Sequence, residues 1–175
     1  AQQVTNYPLD VESYKLSPDG THLLASASVF IDCADLACTK HRLDEKAKSK
    51  ATGVLYNQLF VRHWDTWSDH RRNQLFVADL GGDGQFGKAR LLTRGIDGDG
   101  PSKPFGDDSE YGWSPDGKTV YFNARVAGKA EAWSTNFEIY SVPADGSAAP
   151  KNLTESNLAW DGSPLPSADG KTLYY

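Results

Sequence analysis

The densest chemical constellation in the chain is "RHWDTW": Arg62, His63, Trp64, Asp65 and Trp67, with His70, Arg71 and Arg72 close behind. A carboxylate between two tryptophans can hold an ammonium group while indole faces supply apolar walls. The competing reading is a loop whose tryptophans pack on a sheet and whose Asp65 pairs with Arg62 or Arg71. A second acidic candidate is Glu110, with Asp107 and Asp108 before it; the alternative there is a solvated connecting loop.

Other patterns carry less. Cys33 and Cys38 in "DCADLAC" are close enough for a short-range disulfide and are poorly spaced for zinc, with only His41 nearby. Two free thiols is the alternative. "DGDGPSKPFGDD" (97–108) puts Asp97, Asp99 and Asp108 at the first, third and twelfth places of a calcium loop. Ser102 stands where that loop needs glycine, and Pro101 precedes it. No metal and no other cofactor is expected.

These candidates sit among elements that announce themselves by repetition. Ser17-Pro18-Asp19-Gly20 and Ser114-Pro115-Asp116-Gly117 are identical, and Ser167-Ala168-Asp169-Gly170 is the same turn without proline. Proline presets φ at the second turn position, Asp suits the third, and Gly accepts the exit conformation. Asp19, Asp116 and Asp169 are therefore turn residues rather than reactive ones. Each turn leads into an alternating run: "THLLASASV", "KTVYFNARV" and "KTLYY". A second repeated unit, "NQLFVADLGGDG" with "ARLLT", recurs as "FEIYSVPADGSA" with "PKNLT". Two hairpins per unit make a four-stranded antiparallel sheet. Recurrence without intervening helices predicts an all-β fold, a partial β-propeller of such blades.

The expected blade one runs from about 14 to 95 with an insertion over 31–73, and blade two from about 111 to 154. Blade three begins at 157 and is incomplete. Within the insertion, 34–53 is rich in Ala, Lys, Leu and Glu and predicts a short helix. Residues 54–73 are expected to begin as a strand and continue into an aromatic, charged loop. Insertions between blade strands are common places for binding surfaces. A closed propeller needs at least four blades, so this chain is expected to be the front of a longer protein.

Composition bounds the class. The 175 residues carry a net charge of −5, which argues against a nucleic-acid surface. No apolar run approaches the roughly 18 residues of a membrane-crossing helix. The opening "AQQV" has no initiator Met and is compatible with a processed, exported chain.

The SPDG hairpins, "YNQLFVRHWDTW" followed by "RRNQLFVADL", "PSKPFGDDSEYGWSPDGKTVYF" and "WSTNFEIYSVPADGSAAPKNLT" together resemble bacterial serine peptidases of the prolyl oligopeptidase family. The resemblance is strongest to the secreted dipeptidyl-peptidase and acylaminoacyl-peptidase branch. It implies an N-terminal propeller covering an α/β-hydrolase domain that carries Ser, Asp and His, with the Ser in a G-x-S-x-G elbow. That elbow is absent from these 175 residues, so no catalytic residue is assigned here. The implied role is filtering and positioning short peptides for a triad outside the chain, in a secreted or periplasmic setting. The implied partners are the peptide substrate, the remaining blades and the hydrolase domain. The alternative is a non-enzymatic periplasmic propeller that docks proteins, similar to that of the Tol system.

Overall fold

The computed structural model describes residues 1–175 as a mostly β structure of antiparallel sheets with one α-helix. In chain order the elements are β1 (Ser13–Leu16), β2 (His22–Val29), α1 (Leu36–Lys48), β3 (Arg62–His63), β4 (Thr66–Trp67), β5 (Arg72–Asp79) and β6 (Arg90–Leu91). There follow β7 (Tyr111–Trp113), β8 (Thr119–Ala124), β9 (Glu138–Pro143), β10 (Lys151–Asn152), β11 (Leu165–Pro166) and β12 (Leu173–Tyr174). One sheet has the order β1-β2-β5-β6 and a second the order β10-β9-β8-β7, while β11 and β12 form a separate hairpin. The sheets do not close on themselves into a barrel or ring.

The repeated turn is built the same way three times. The hydroxyls of Ser17, Ser114 and Ser167 each donate to the aspartate two residues on, at 2.6 Å. The Gly20, Gly117 and Gly170 amides return to those serines' carbonyls at 2.9 Å. The three glycines have φ of 73°, 70° and 69°, the left-handed region where a Cβ is strained. The turn thus sets the β1–β2, β7–β8 and β11–β12 registers, pairing Leu16 with Leu23 and Trp113 with Val120.

The second repeated unit carries its own polar staple. Thr93 Oγ1 accepts from the Leu75 amide at 3.1 Å and donates to Gln74 Oε1 at 2.7 Å. Sixty-one residues later, Thr154 Oγ1 accepts from the Ile139 amide at 3.0 Å and donates to Glu138 Oε2 at 2.8 Å. The threonine of each "LT" continues the ladder of β5 or β9 past the end of a two-residue strand. A buried amide is satisfied in both cases.

Strand alternation decides which face each residue serves. Leu24, Leu75, Val77 and Leu92 from the first sheet meet Tyr111, Trp113, Val120, Phe122, Tyr140 and Val142 from the second in one apolar core. The Tyr111 hydroxyl donates to Ser13 at 2.9 Å, and burial pushes its pKa up to about 12. On the opposite face of the first sheet, Ala27, Val29 and Phe76 pack with Leu36 of α1 and with Tyr7 and Leu9 of the N-terminal segment. Both faces of β2 and β5 are therefore covered, and their middles read as continuous apolar runs.

Helix α1 starts where Asp35 caps the Cys38 amide at 2.9 Å. It buries only Leu36 and Thr39. Thr39 Oγ1 accepts from the Phe30 amide at 3.2 Å, and Arg42 makes a bidentate pair with Asp32 at 2.7 and 2.8 Å. Cys33 and Cys38 are joined in a disulfide that ties the first turn to the end of β2. No helix is long and apolar enough to cross a membrane.

One local expectation is corrected. Residues 54–61 form no strand, and the aromatic stretch instead folds into the two-residue hairpin β3–β4. Its register pairs Arg62 with Trp67 and His63 with Thr66, leaving Trp64 and Asp65 at the tip. The preceding segment, with Val54, Leu55, Leu59 and Phe60 exposed, has no neighbouring strand to pair with and buries too little to hold one.

Candidate functional site

The β3–β4 hairpin is held by aromatic edges rather than by a core. On one side Trp67 stacks on Tyr56 at 6.1 Å, Tyr56 meets His70 at 5.2 Å, and the Arg62 guanidinium lies 5.6 Å over Trp67. The Tyr56 hydroxyl donates to the Ser68 carbonyl at 2.8 Å. At the tip Trp64 packs on His63 at 5.2 Å, and both rings meet Phe105, at 5.3 and 5.7 Å. Trp64 holds a left-handed φ of 49°, which turns the tip tightly enough to bring β3 back as β4.

Asp65 is exposed, and its only contact of hydrogen-bond length is with the Thr66 hydroxyl at 3.4 Å. Neither arginine expected as a partner takes that role. Arg62 lies on Trp67, and Arg71 pairs with Asp69 at 2.6 Å. The tip therefore presents a carboxylate with no cationic partner, next to Trp64 and two residues from Trp67.

Glu110 is arranged differently. It accepts from the Ser102 amide and hydroxyl at 2.7 Å each and from Asn123 Nδ2 at 3.1 Å. Its two oxygens fasten the 101–110 loop to β8, so it is neither a free acid nor a solvated one. Asp107 accepts from the Ser109 amide at 2.8 Å, and the Ser109 contacts hold its carboxyl below the usual range.

Behind the hairpin lies a charged cluster that local sequence patterns did not reveal. Arg72, at the start of β5, donates to both oxygens of Glu131 at 2.7 and 2.6 Å. It also reaches Asp99 at 3.0 Å and Asp97 at 3.3 Å. Asp99 in turn accepts from the Asn73 amide at 2.8 Å. The hydrogen bonds to Glu131 hold the Arg72 guanidinium firmly charged, against the cost of burial. Lys103 donates to Ser28 Oγ at 2.8 Å and the Arg71 carbonyl at 3.0 Å; burial pushes its ammonium down from the ordinary value, while Asp99 and Asp69 oppose this.

Arg125 completes the group. It donates to the Ser134 carbonyl at 2.9 Å and lies 5.1 Å over Phe137 and 6.0 Å over Phe60, the latter from the hairpin segment. Asp99, Ser102, Lys103, Arg125, Glu131 and Phe137 line a small, partly open pocket of about 10 Å³, room for about one water. No three His, Cys, Asp or Glu side chains converge as metal ligands. Arg72 and Glu131 are 59 residues apart, so no local spacing could have paired them. Phe105 had no signal beyond being an aromatic in an acidic loop.

No protein-family model matches the chain. Curated relatives do. It is 32% identical over 153 residues to the probable dipeptidyl-peptidase 5 of Arthroderma benhamiae, which covers 78% of this chain and 21% of that protein. The dipeptidyl-peptidase 5 of Trichophyton equinum is 33% identical over the same length and shares. That of Porphyromonas gingivalis is 31% identical over 125 residues, 71% of this chain and 18% of the relative. The chain spans about a fifth of the length of the curated relatives it matches. By sequence it is related to the dipeptidyl-peptidases 5.

Proposed function

We propose that this chain is the front part of a β-propeller in a secreted or periplasmic serine dipeptidyl peptidase of the prolyl oligopeptidase family. In this reading the two four-stranded sheets are blades one and two, about 14–95 and 111–154, and the β11–β12 hairpin opens a third from 157. The identical Ser-Asp-Gly turns and Thr staples in successive units support a repeated blade. The Cys33–Cys38 disulfide fits an oxidising compartment. The similarity to dipeptidyl-peptidases 5 supports the activity.

The observation that carries the chain's own role is the unpaired carboxylate of Asp65 at an aromatic hairpin tip. A dipeptidyl peptidase must recognise a free α-ammonium two residues before the bond it cuts. Asp65 accepts hydrogen bonds from that ammonium, while Trp64 and Trp67 flank the first side chains, with Arg62 and His63 holding those rings. In open water such a pair is worth only about 0–1 kcal/mol. Covered by further protein and substrate, a charged hydrogen bond contributes about 1.5–3 kcal/mol. Bond cleavage belongs to a Ser-Asp-His triad outside these residues.

The full-length protein, treated with a fluorophosphonate probe and assayed for dipeptide release from unblocked peptides, tests this. Covalent labelling together with loss of release supports the reading. A protein that takes no label and releases no dipeptides overturns it.

A further inference from the structure

The hairpin that presents Asp65 has few ties to the rest of the molecule. Between Lys40 and Arg71 no residue is buried. The hairpin has two paired rungs and one further backbone bond, from the Ser68 amide to the Val61 carbonyl at 3.0 Å. Its large apolar side chains stay in solvent: Trp64 is 74% exposed and Trp67 61%. Segments with few buried contacts and exposed backbone bonds open at low free energy.

Its attachments to the body are side-chain edges. The tip touches Phe105 through Trp64 and His63. At the base, the Arg125 guanidinium lies 6.0 Å over the Phe60 ring. Phe105, by contrast, stands on a fastened loop. The Gly106 amide bonds the Ser102 carbonyl at 2.8 Å, and Glu110 grips Ser102 twice. A left-handed His70, φ 69°, marks the junction with β5; beyond it the backbone enters a ladder paired at every residue from Arg72 to Asp79.

From this asymmetry, a loosely held hairpin against a fixed aromatic post, we infer that residues 54–70 form a lid. It pivots at Ser68–His70 and is latched by Phe105 against His63 and Trp64. With the latch engaged, Asp65 is held at a tip fixed against the 101–110 loop; with it released, the tip and its carboxylate swing free of Phe105. The inference deepens the reading of Asp65 as the ammonium acceptor and rests on it for what the lid closes upon, though not for the motion itself.

Amide hydrogen exchange of the full-length protein tests the latch. Phe105→Ala is expected to speed exchange of the Val61–Ser68 amides about tenfold, since two aromatic contacts are lost. The β2 and β5 amides should exchange as before. Phe105→Leu, which keeps bulk, should fall between. Phe105 is 71% exposed, so neither change threatens the core. Exchange at 61–68 that is unchanged in both variants overturns the lid. A non-hydrolysable dipeptide analogue with a free amine should slow the same amides in the parent protein. Latch-sensitive exchange without such slowing would uphold the lid and overturn the role given to Asp65.

Discussion

Replacing Arg72 by Met removes the centre of the cluster that joins the first sheet to the connection leaving β8. The guanidinium is 17% exposed and makes two short bonds to Glu131, 8% exposed, and one to Asp99, 11% exposed. Arg125 reaches Glu131 only at 3.8 Å, and Lys103 reaches Asp99 only at 3.7 Å. Neither can take over the lost contacts without moving. Deleting one partner of such a buried pair strands the other and costs about 3–5 kcal/mol. For a domain of about 150–250 residues each kcal/mol is worth roughly 2–4 °C, so the midpoint should fall by about 6–20 °C. Thermal unfolding followed by tryptophan fluorescence measures the midpoint, and urea unfolding the free energy. Glu131→Met alone should cost a similar amount, and Arg72→Met with Glu131→Met should cost less than the sum of the two, because Glu131 is then no longer stranded, although Asp99 still loses its arginine. A single-variant cost under about 1 kcal/mol would show a pair behaving as a surface one, and a fully additive double variant would show two side chains acting independently. Either result refutes the reasoning.

Two further outcomes follow from the repeated devices. Glu138→Gln should be nearly neutral, within about 0.5 kcal/mol, because Gln74 already fills the equivalent place; Asn136 Oδ1, which lacks a partner, can accept from the new amide. Glu138→Ala should cost about 1–3 kcal/mol in denaturation, since Thr154 and Asn136 lose their acceptor. The Ser17 hydroxyl, with Thr21, lowers the Asp19 pKa from 3.8 to about 2. The ionised form is the one the turn favours, so its contribution is present above about pH 4 and lost as pH falls toward 2. The stability gap between Asp19→Ala and the parent should therefore narrow over that window, and a constant gap would contradict it.

How much was legible depended on how local the physics is. The Ser-Pro-Asp-Gly turns were readable because four adjacent residues supply φ, donor and acceptor, and the hairpins inherit their register from them. Helix α1 was readable from its own composition, whereas its Asp35 cap emerged only in the structure. The strand expected at 54 failed because apolar spacing says nothing about whether a neighbour exists to pair with. The hairpin tip was visible as a cluster of reactive side chains, but the choice between a paired and an unpaired Asp65 turned on where Arg62 and Arg71 point. Arg62 settles on Trp67 and Arg71 on Asp69. The clamp from Arg72 to Glu131 and the post at Phe105 were invisible because tertiary packing alone brings them together.

The proposed recognition of a peptide's N-terminus rests on Asp65. In the full-length protein, kinetics of Asp65→Asn on a chromogenic dipeptide substrate with a free amine should show KM raised about tenfold and kcat little changed, because the lost contact is made before and during the reaction alike. The N-acetylated form of the same substrate should be handled poorly and equally by both proteins. An unchanged KM for the free amine, with that discrimination intact, would contradict the claim that Asp65 reads the peptide's N-terminus.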